Sequence, residues 1–180
     1  VVNKMQTLNV LGYDVFSGKL DDICLSENKQ IINTINPHSY VLAKNDKLFH
    51  EALATSDILL PDGCGIVMAA RYLKNKKIKK IAGADLNQHL LKILNDGCYR
   101  CFYMGSSQVT LDKIKDHLSK ELPGINAAFY SPPYKDHFSY EENEEILAAI
   151  EEFKPDILFI GMTAPKQEKW LYQHKDKIDV

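Results

Sequence analysis

Four short apolar runs in this 180-residue chain each stop abruptly in a loop of polar residues, Gly and Pro. Ile31-Ile32 runs into Asn33-Thr34-Ile35-Asn36-Pro37, and Ile58-Leu59-Leu60 into Pro61-Asp62-Gly63-Cys64-Gly65. Phe102-Tyr103-Met104 runs into Gly105-Ser106-Ser107, and residues 157–160 into Gly161-Met162-Thr163-Ala164-Pro165-Lys166-Gln167-Glu168. An apolar run closed by turn chemistry reads as a buried parallel strand. Open parallel sheets bind ligands beyond the carboxyl ends of their strands. The four loops are therefore expected to converge on one site, and their side chains are those of an enzyme.

Between the runs the apolar spacing turns helical. Val41, Leu42, Leu48, Phe49, Ala52 and Leu53 recur at helical spacing, as do Leu86, Leu90, Ile93 and Leu94 after Asp85, read as an N-cap, with a stop at Gly97. Ser107 caps a helix carrying Leu111, Ile114, Leu118 and Leu122, stopped by Pro123-Gly124. Ser139 and Glu142 match a capping box ahead of Ile146, Ala149, Ile150 and Phe153. Strands are expected at residues 8–12 (with 13–16 continuing the extended stretch), 100–104, 125–130 and 156–160, and a short helix at 167–175. This alternation predicts an α/β fold: a three-layer α/β/α sandwich with a Rossmann-like, mainly parallel sheet, as one domain over residues 1–180. Residues 178–180 read as the opening of another strand, so the chain is expected to be cut short of a tail that matters for activity.

Composition excludes several classes. The net charge of -2, from 22 basic and 24 acidic residues, sets up no global field for nucleic acid, although residues 74–80 (KNKKIKK) are locally basic. No apolar run approaches the roughly 18 residues that span a bilayer, and the N-terminus lacks a signal-peptide core. The expected location is the cytosol, touching a membrane surface at most. Four cysteines make no disulfide framework. Cys98 and Cys101 form one CxxC, but no second pair or His pair completes a metal site, and Cys101 enters a strand. Cys64, in the Asp62 loop, is read as a small filler, with a reactive thiol as the alternative.

Asp62 follows Pro61 at a strand end and precedes Gly63 and Gly65, which let backbone approach a ligand closely. Its carboxylate suits a general base, or else it satisfies turn amides, as Asp-Gly often does. Thr34 and Asn36 suit sugar hydroxyls or phosphate oxygens, unless Asn36 only starts a helix before Pro37. Gly105, Ser106 and Ser107 place a Gly and two hydroxyls at a helix N-terminus, where phosphate is favoured, without being GxGxxG or a P-loop. Lys166 offers a cation and Gln167 both donors and acceptors, while Glu168 is a first-turn carboxylate suited to capping. The chain has no Asp-x-Asp, HExxH or Gly-x-Ser-x-Gly, which disfavours a metal-bridged diphosphate site and an ordinary α/β hydrolase.

Taken in order, these motifs resemble the WecG/TagA/CpsF glycosyltransferases (glycosyltransferase family 26). The matching blocks are TINPHSYVLA (34–43), LLPDGCGIV (59–67), KIAGADL (80–86), FYMGSS (102–107), YSPPY (130–134) and PDILFIGMTAPKQEKW (155–170). The resemblance implies an inverting, metal-independent transfer, without a cofactor, from a UDP-sugar to an undecaprenyl-diphosphate-linked sugar in cell-surface polysaccharide or teichoic acid synthesis. TagA-like members move N-acetylmannosamine onto N-acetylglucosamine. It also implies roles: Asp62 as the base, Thr34 beside it, Asn36 near the donor and Gln167 lining the nucleotide-sugar pocket. Gly63, Gly65, Lys80, Gly83, Asp85, Gly105, Ser106 and Lys166 are the further substrate-binding candidates. Lys80 stands where the family usually has Arg, so it meets a phosphate without the two-pronged guanidinium geometry. Family members continue with a basic C-terminal segment that reaches the inner face of the membrane, and its loss would favour self-association through exposed apolar surface. The alternative readings are a non-catalytic nucleotide-sugar binding module and a UDP-sugar hydrolase.

Overall fold

Side-chain alternation along the parallel strands divides the buried residues between two faces, and this sets where each helix lies. A computed structural model of the chain describes residues 5–26, 28–97 and 99–180, in two units that divide between His89 and Leu90.

In the first unit, β1 (Thr7–Val10) and β2 (Tyr13–Phe16) pair antiparallel. Residues 8–16 are thus a hairpin rather than one extended stretch. Leu11 (φ 56) and Gly12 (φ 92) both take positive φ, the requirement of the two-residue turn whose twist matches a hairpin. The chain continues through β3 (Ile32–Ile35), α1 (Pro37–Ala43), α2 (Lys47–Ala54), β4 (Ile58–Pro61) and α3 (Cys64–Lys74) into α4 (Gly83–Gly97). β3 and β4 are parallel, with Thr34 opposite Leu60 and Ile35 opposite Pro61. One helical stretch is expected over residues 41–53, but two helices form. Asp46 accepts a hydrogen bond from the Phe49 amide at 3.0 Å and restarts the helix, and Val41 points to solvent. α3 has no counterpart in the sequence reading, because Gly63 and Gly65 mark a loop. Leu59 packs with Ile35, Phe49, Leu53 and Ile66, whereas Ile58 and Leu60 pack with Phe16, Ile23 and Ile81.

The second unit has the expected layers in full. β5 (Arg100–Gly105) lies between β6 (Asn126–Tyr130) and β7 (Ile157–Gly161), all parallel. Phe102, Met104, Leu158 and Ile160 face Ile146 and Ile150 of α6 (Tyr140–Phe153) and Trp170 of α7 (Lys166–His174). Cys101, Tyr103, Ile157 and Phe159 face Leu111 and Leu118 of α5 (Gln108–Glu121) with Leu91 and Leu94 of α4. Helices thus cover both faces of a parallel sheet, and each buried Leu, Ile or Phe contributes about 1.5–3 kcal/mol. Both expected caps form: Ser107 accepts from the Thr110 amide, and Ser139 and Glu142 make a reciprocal box.

Three further expectations meet the structure here. Residues 178–180 form no strand; Ile178 packs into the core against α6 and α7. Cys101 is buried, and burial pushes its thiol up to about 12, so it stays protonated near neutrality. Cys98 lies outside the described residues. Among the described residues, no helix is long and apolar enough to cross a membrane.

Candidate active site

In the first unit, two strand ends are locked side by side. The Asp62 amide donates to the Ile35 carbonyl at 2.9 Å, which places the loop after β4 against the loop after β3. The Ile81 amide donates to the Pro61 carbonyl at 2.9 Å, so the segment leading into α4 runs along the same strand end. Thr34 lies within β3 rather than in the loop after it, because the ladder with β4 continues to Ile35.

Two glycines allow this proximity. Gly63 takes φ 87, a conformation that a Cβ would strain, and precedes the first turn of α3. A Cβ on Gly65 would stand 2.4 Å from Pro37 Cγ, in a ring that cannot swing away. Gly65 is therefore where α3 and the start of α1 touch.

Asp62 is half-buried at this junction, and its carboxylate accepts no hydrogen bond among the described residues. The turn-satisfying alternative does not hold here. Asn36 does cap α1: its Oδ1 accepts from the Ser39 amide at 2.9 Å, and Ser39 Oγ returns a bond to the Asn36 carbonyl. What Asn36 retains for a ligand is its Nδ2 donor and the second lone pair of Oδ1. Gly83 starts α4, and a Cβ there would lie 3.9 Å from Thr34 Cγ2. Asp85 is not the N-cap of α4. It sits inside the first turn and reaches back to accept from the Ala82 amide at 2.9 Å. Lys80 is exposed and makes no ion pair among the described residues. Cys64 opens α3 and is exposed, so it is not the small filler expected, because the helix begins there and turns its side chain outward.

In the second unit, the ends of β5 and β7 meet at Gly105 and Gly161, which are register partners. Ser106 follows with φ 62, and its carbonyl accepts from Ser131 Oγ at 2.9 Å, which ties residues 130–134 to this strand end. Lys166, at the start of α7, donates through Nζ to the Lys135 carbonyl and lies 3.8 Å from the centroid of the Phe138 ring. Burial holds its pKa below the usual lysine range, and nearby Lys135 acts in the same direction.

Gln167 is held at both ends of its amide. Its Oε1 accepts from the Met162 amide at 3.2 Å, and its Nε2 donates to Glu168 Oε1 at 2.8 Å. One N–H and the second lone pair of Oε1 remain for a ligand.

Glu168 is the residue that sequence reasoning misjudged most. It is 4% exposed rather than a surface cap, and its Oε2 is buried without a hydrogen-bond partner. Nothing in its spacing signals this, because burial depends on neighbours that packing brings together. Desolvation raises its pKa, and the bond from Gln167 only partly offsets that. A raised carboxyl pKa means that the folded chain holds the proton more tightly than the unfolded chain. The stabilisation is complete below the ordinary carboxylate range and is lost as pH rises through the folded-state value. Glu168→Gln keeps the acceptor for Gln167 and removes the ionisation. The variant is expected to be more stable than the parent by on the order of 1 kcal/mol at pH 8, with the gap closing towards pH 4. Urea unfolding across that range measures it, and parallel curves would show that Glu168 is not the buried acid described.

The model of the glycosyl transferase WecG/TagA/CpsF family matches residues 5–180. The chain is 30% identical over 145 residues to the N-acetylglucosaminyldiphosphoundecaprenol N-acetyl-beta-D-mannosaminyltransferase of Bacillus subtilis (strain 168), covering 81% of this chain and 55% of that protein. It is 29% identical over 156 residues to the protein of the same name from Staphylococcus aureus (strain NCTC 8325 / PS 47), covering 86% of this chain and 59% of the relative. The chain thus spans somewhat more than half the length of these curated relatives.

Proposed function

Because the chain belongs to the WecG/TagA/CpsF glycosyltransferase family, we propose that it transfers a sugar from a UDP-sugar to an undecaprenyl-diphosphate-linked sugar, with inversion and without a metal. The names of the relatives point to N-acetylmannosamine as the sugar and N-acetylglucosamine as its acceptor. The observation that carries the reading is the Asp62 carboxylate: half-buried, at the carboxyl end of a parallel strand, and accepting no hydrogen bond from the described residues.

In this reading Asp62 takes the proton from the acceptor hydroxyl as that oxygen attacks the anomeric carbon, and UDP leaves from the opposite face. Thr34 and the Nδ2 of Asn36 hold the sugar or its phosphates. Lys80 meets the charge that develops on the departing diphosphate, with Gly83 letting it approach and Asp85 holding the first turn of α4. Within the second unit taken by itself, Gln167 with its remaining N–H, Lys166 and the Gly105-Ser106 turn are the groups suited to binding substrate. The place of action is the membrane face that displays the lipid carrier.

The test is an assay of UDP release from this chain in EDTA, with a panel of UDP-sugars and a short-chain, water-soluble lipid-diphosphate-N-acetylglucosamine. Acceptor-dependent release with one donor is the expected result. Release that ignores the acceptor would make the protein a UDP-sugar hydrolase, and UDP binding without release would make it a binding module.

A further inference from the structure

The first unit carries a strongly one-sided charge, of which the chemistry above uses only Lys80. Between Asp62 and Asp85 there is no acidic residue, yet Arg71, Lys74, Lys76, Lys77, Lys79 and Lys80 all fall there. These six cations, set against a whole-chain charge of -2, leave the rest of the protein at -8 (that is, -2 less 6). None of the six makes an ion pair among the described residues, and all six are exposed.

The structure explains why they stay outward. Ile66 and Ala70 bury one side of α3, which leaves Met68, Arg71 and Tyr72 on the other. After the helix ends at left-handed Asn75, Ile78 and Ile81 are buried and pin residues 75–81 to the first unit. Lys76, Lys77, Lys79 and Lys80 flank those anchors and project. Apolar side chains stand among the cations: Met68 is 67% exposed, Tyr72 90% and Leu73 52%.

Exposed aliphatic and aromatic side chains ringed by unpaired cations have the make-up of an interfacial surface, the apolar groups entering the headgroup boundary and the cations meeting anionic lipid. A nucleic acid would use the cations but has no apolar medium to receive Met68 and Leu73. We propose that the exposed face of α3, together with residues 74–80, docks on an anionic bilayer surface. The helix that carries this face starts two residues after Asp62. Docking here would bring the first unit to the lipid that anchors the acceptor, so the inference rests on the proposed function and names the surface that meets the membrane.

The test is flotation of the 180-residue chain with vesicles of equal parts phosphatidylglycerol and phosphatidylcholine, and with phosphatidylcholine alone. Binding is expected only to the anionic vesicles and should weaken as salt rises. Substituting Lys76, Lys77 and Lys79 together with Gln is expected to lower vesicle affinity roughly 100-fold. Met68→Ser with Tyr72→Ser is expected to lower it at least tenfold, with unchanged circular dichroism for both variants. Anionic-vesicle binding that both variants retain, or its absence in the parent chain, would overturn the proposal. So would binding to single-stranded poly-dT as tight as to the vesicles and indifferent to Met68 and Tyr72. Transfer to the water-soluble acceptor should survive the triple Lys substitution. Vesicle binding without any transfer would therefore sink the enzymatic reading alone, and transfer without vesicle binding the docking surface alone.

Discussion

Asp62→Asn is expected to abolish sugar transfer, lowering kcat by about 10²–10⁴-fold, the usual worth of a general base, while leaving the fold unchanged. The structure makes this a clean substitution. The Asp62 backbone, not its side chain, ties the two strand ends together through the bond to the Ile35 carbonyl. Its carboxylate accepts nothing from the described residues, so an amide of the same shape leaves no buried donor stranded. Stability should stay within about 0.5 kcal/mol of the parent, as for a substitution that disturbs no packing or network. Initial rates of UDP release, with thermal melting as the control, measure both halves. An Asn variant that turns over normally would remove Asp62 from the mechanism, and the reading built on it would fall.

Gly105→Ala is expected to be the most damaging small substitution in the second unit, costing about 2–5 kcal/mol. Two penalties act together. The residue takes φ 109, where any Cβ is strained, and that Cβ would stand 2.6 Å from the Gly161 carbonyl oxygen and 2.7 Å from its carbon. Both contacts are backbone, and Gly161 is the register partner across the β5–β7 ladder. Neither strand can retreat cheaply, because β5 is also bonded to β6 on its other side. At roughly 2–4 °C per kcal/mol, the melting temperature should fall by several degrees or more. Urea unfolding gives the free energy directly, and a loss below about 0.5 kcal/mol would mean that the two strand ends do not approach as described.

These two residues show different degrees of legibility. Asp62 stands out in the chain itself, because an apolar run, a Pro and two glycines around a carboxylate make a strand-end loop whatever follows. The caps at Ser107 and Ser139 are equally legible, since a cap is a contact between residues three apart. Strands β5, β6 and β7 are readable for the same reason: each is a short apolar run with turn chemistry at its end. Where two local signals compete, the chain misleads. Gly63 and Gly65 mark a loop, yet Gly65 lies in the first turn of α3, because Pro37 of α1 needs the space that a side chain would fill. Asp46 interrupts an apolar pattern that reads equally well as one helix.

The sequence by itself determined the α/β alternation, the strand-end position of Asp62 and the family to which the chain belongs. Those depend on spacing, capping and turn chemistry, which act over a few residues. Only the tertiary structure decided that Asn36 uses one lone pair of its oxygen in a helix cap, that Gln167 has one donor left, and that Glu168 is buried with an unpartnered oxygen. It also decided that Met68 and Tyr72 stand exposed among unpaired lysines. Burial and the consumption of hydrogen-bonding groups depend on neighbours brought together by packing, and no local pattern records which neighbours those are.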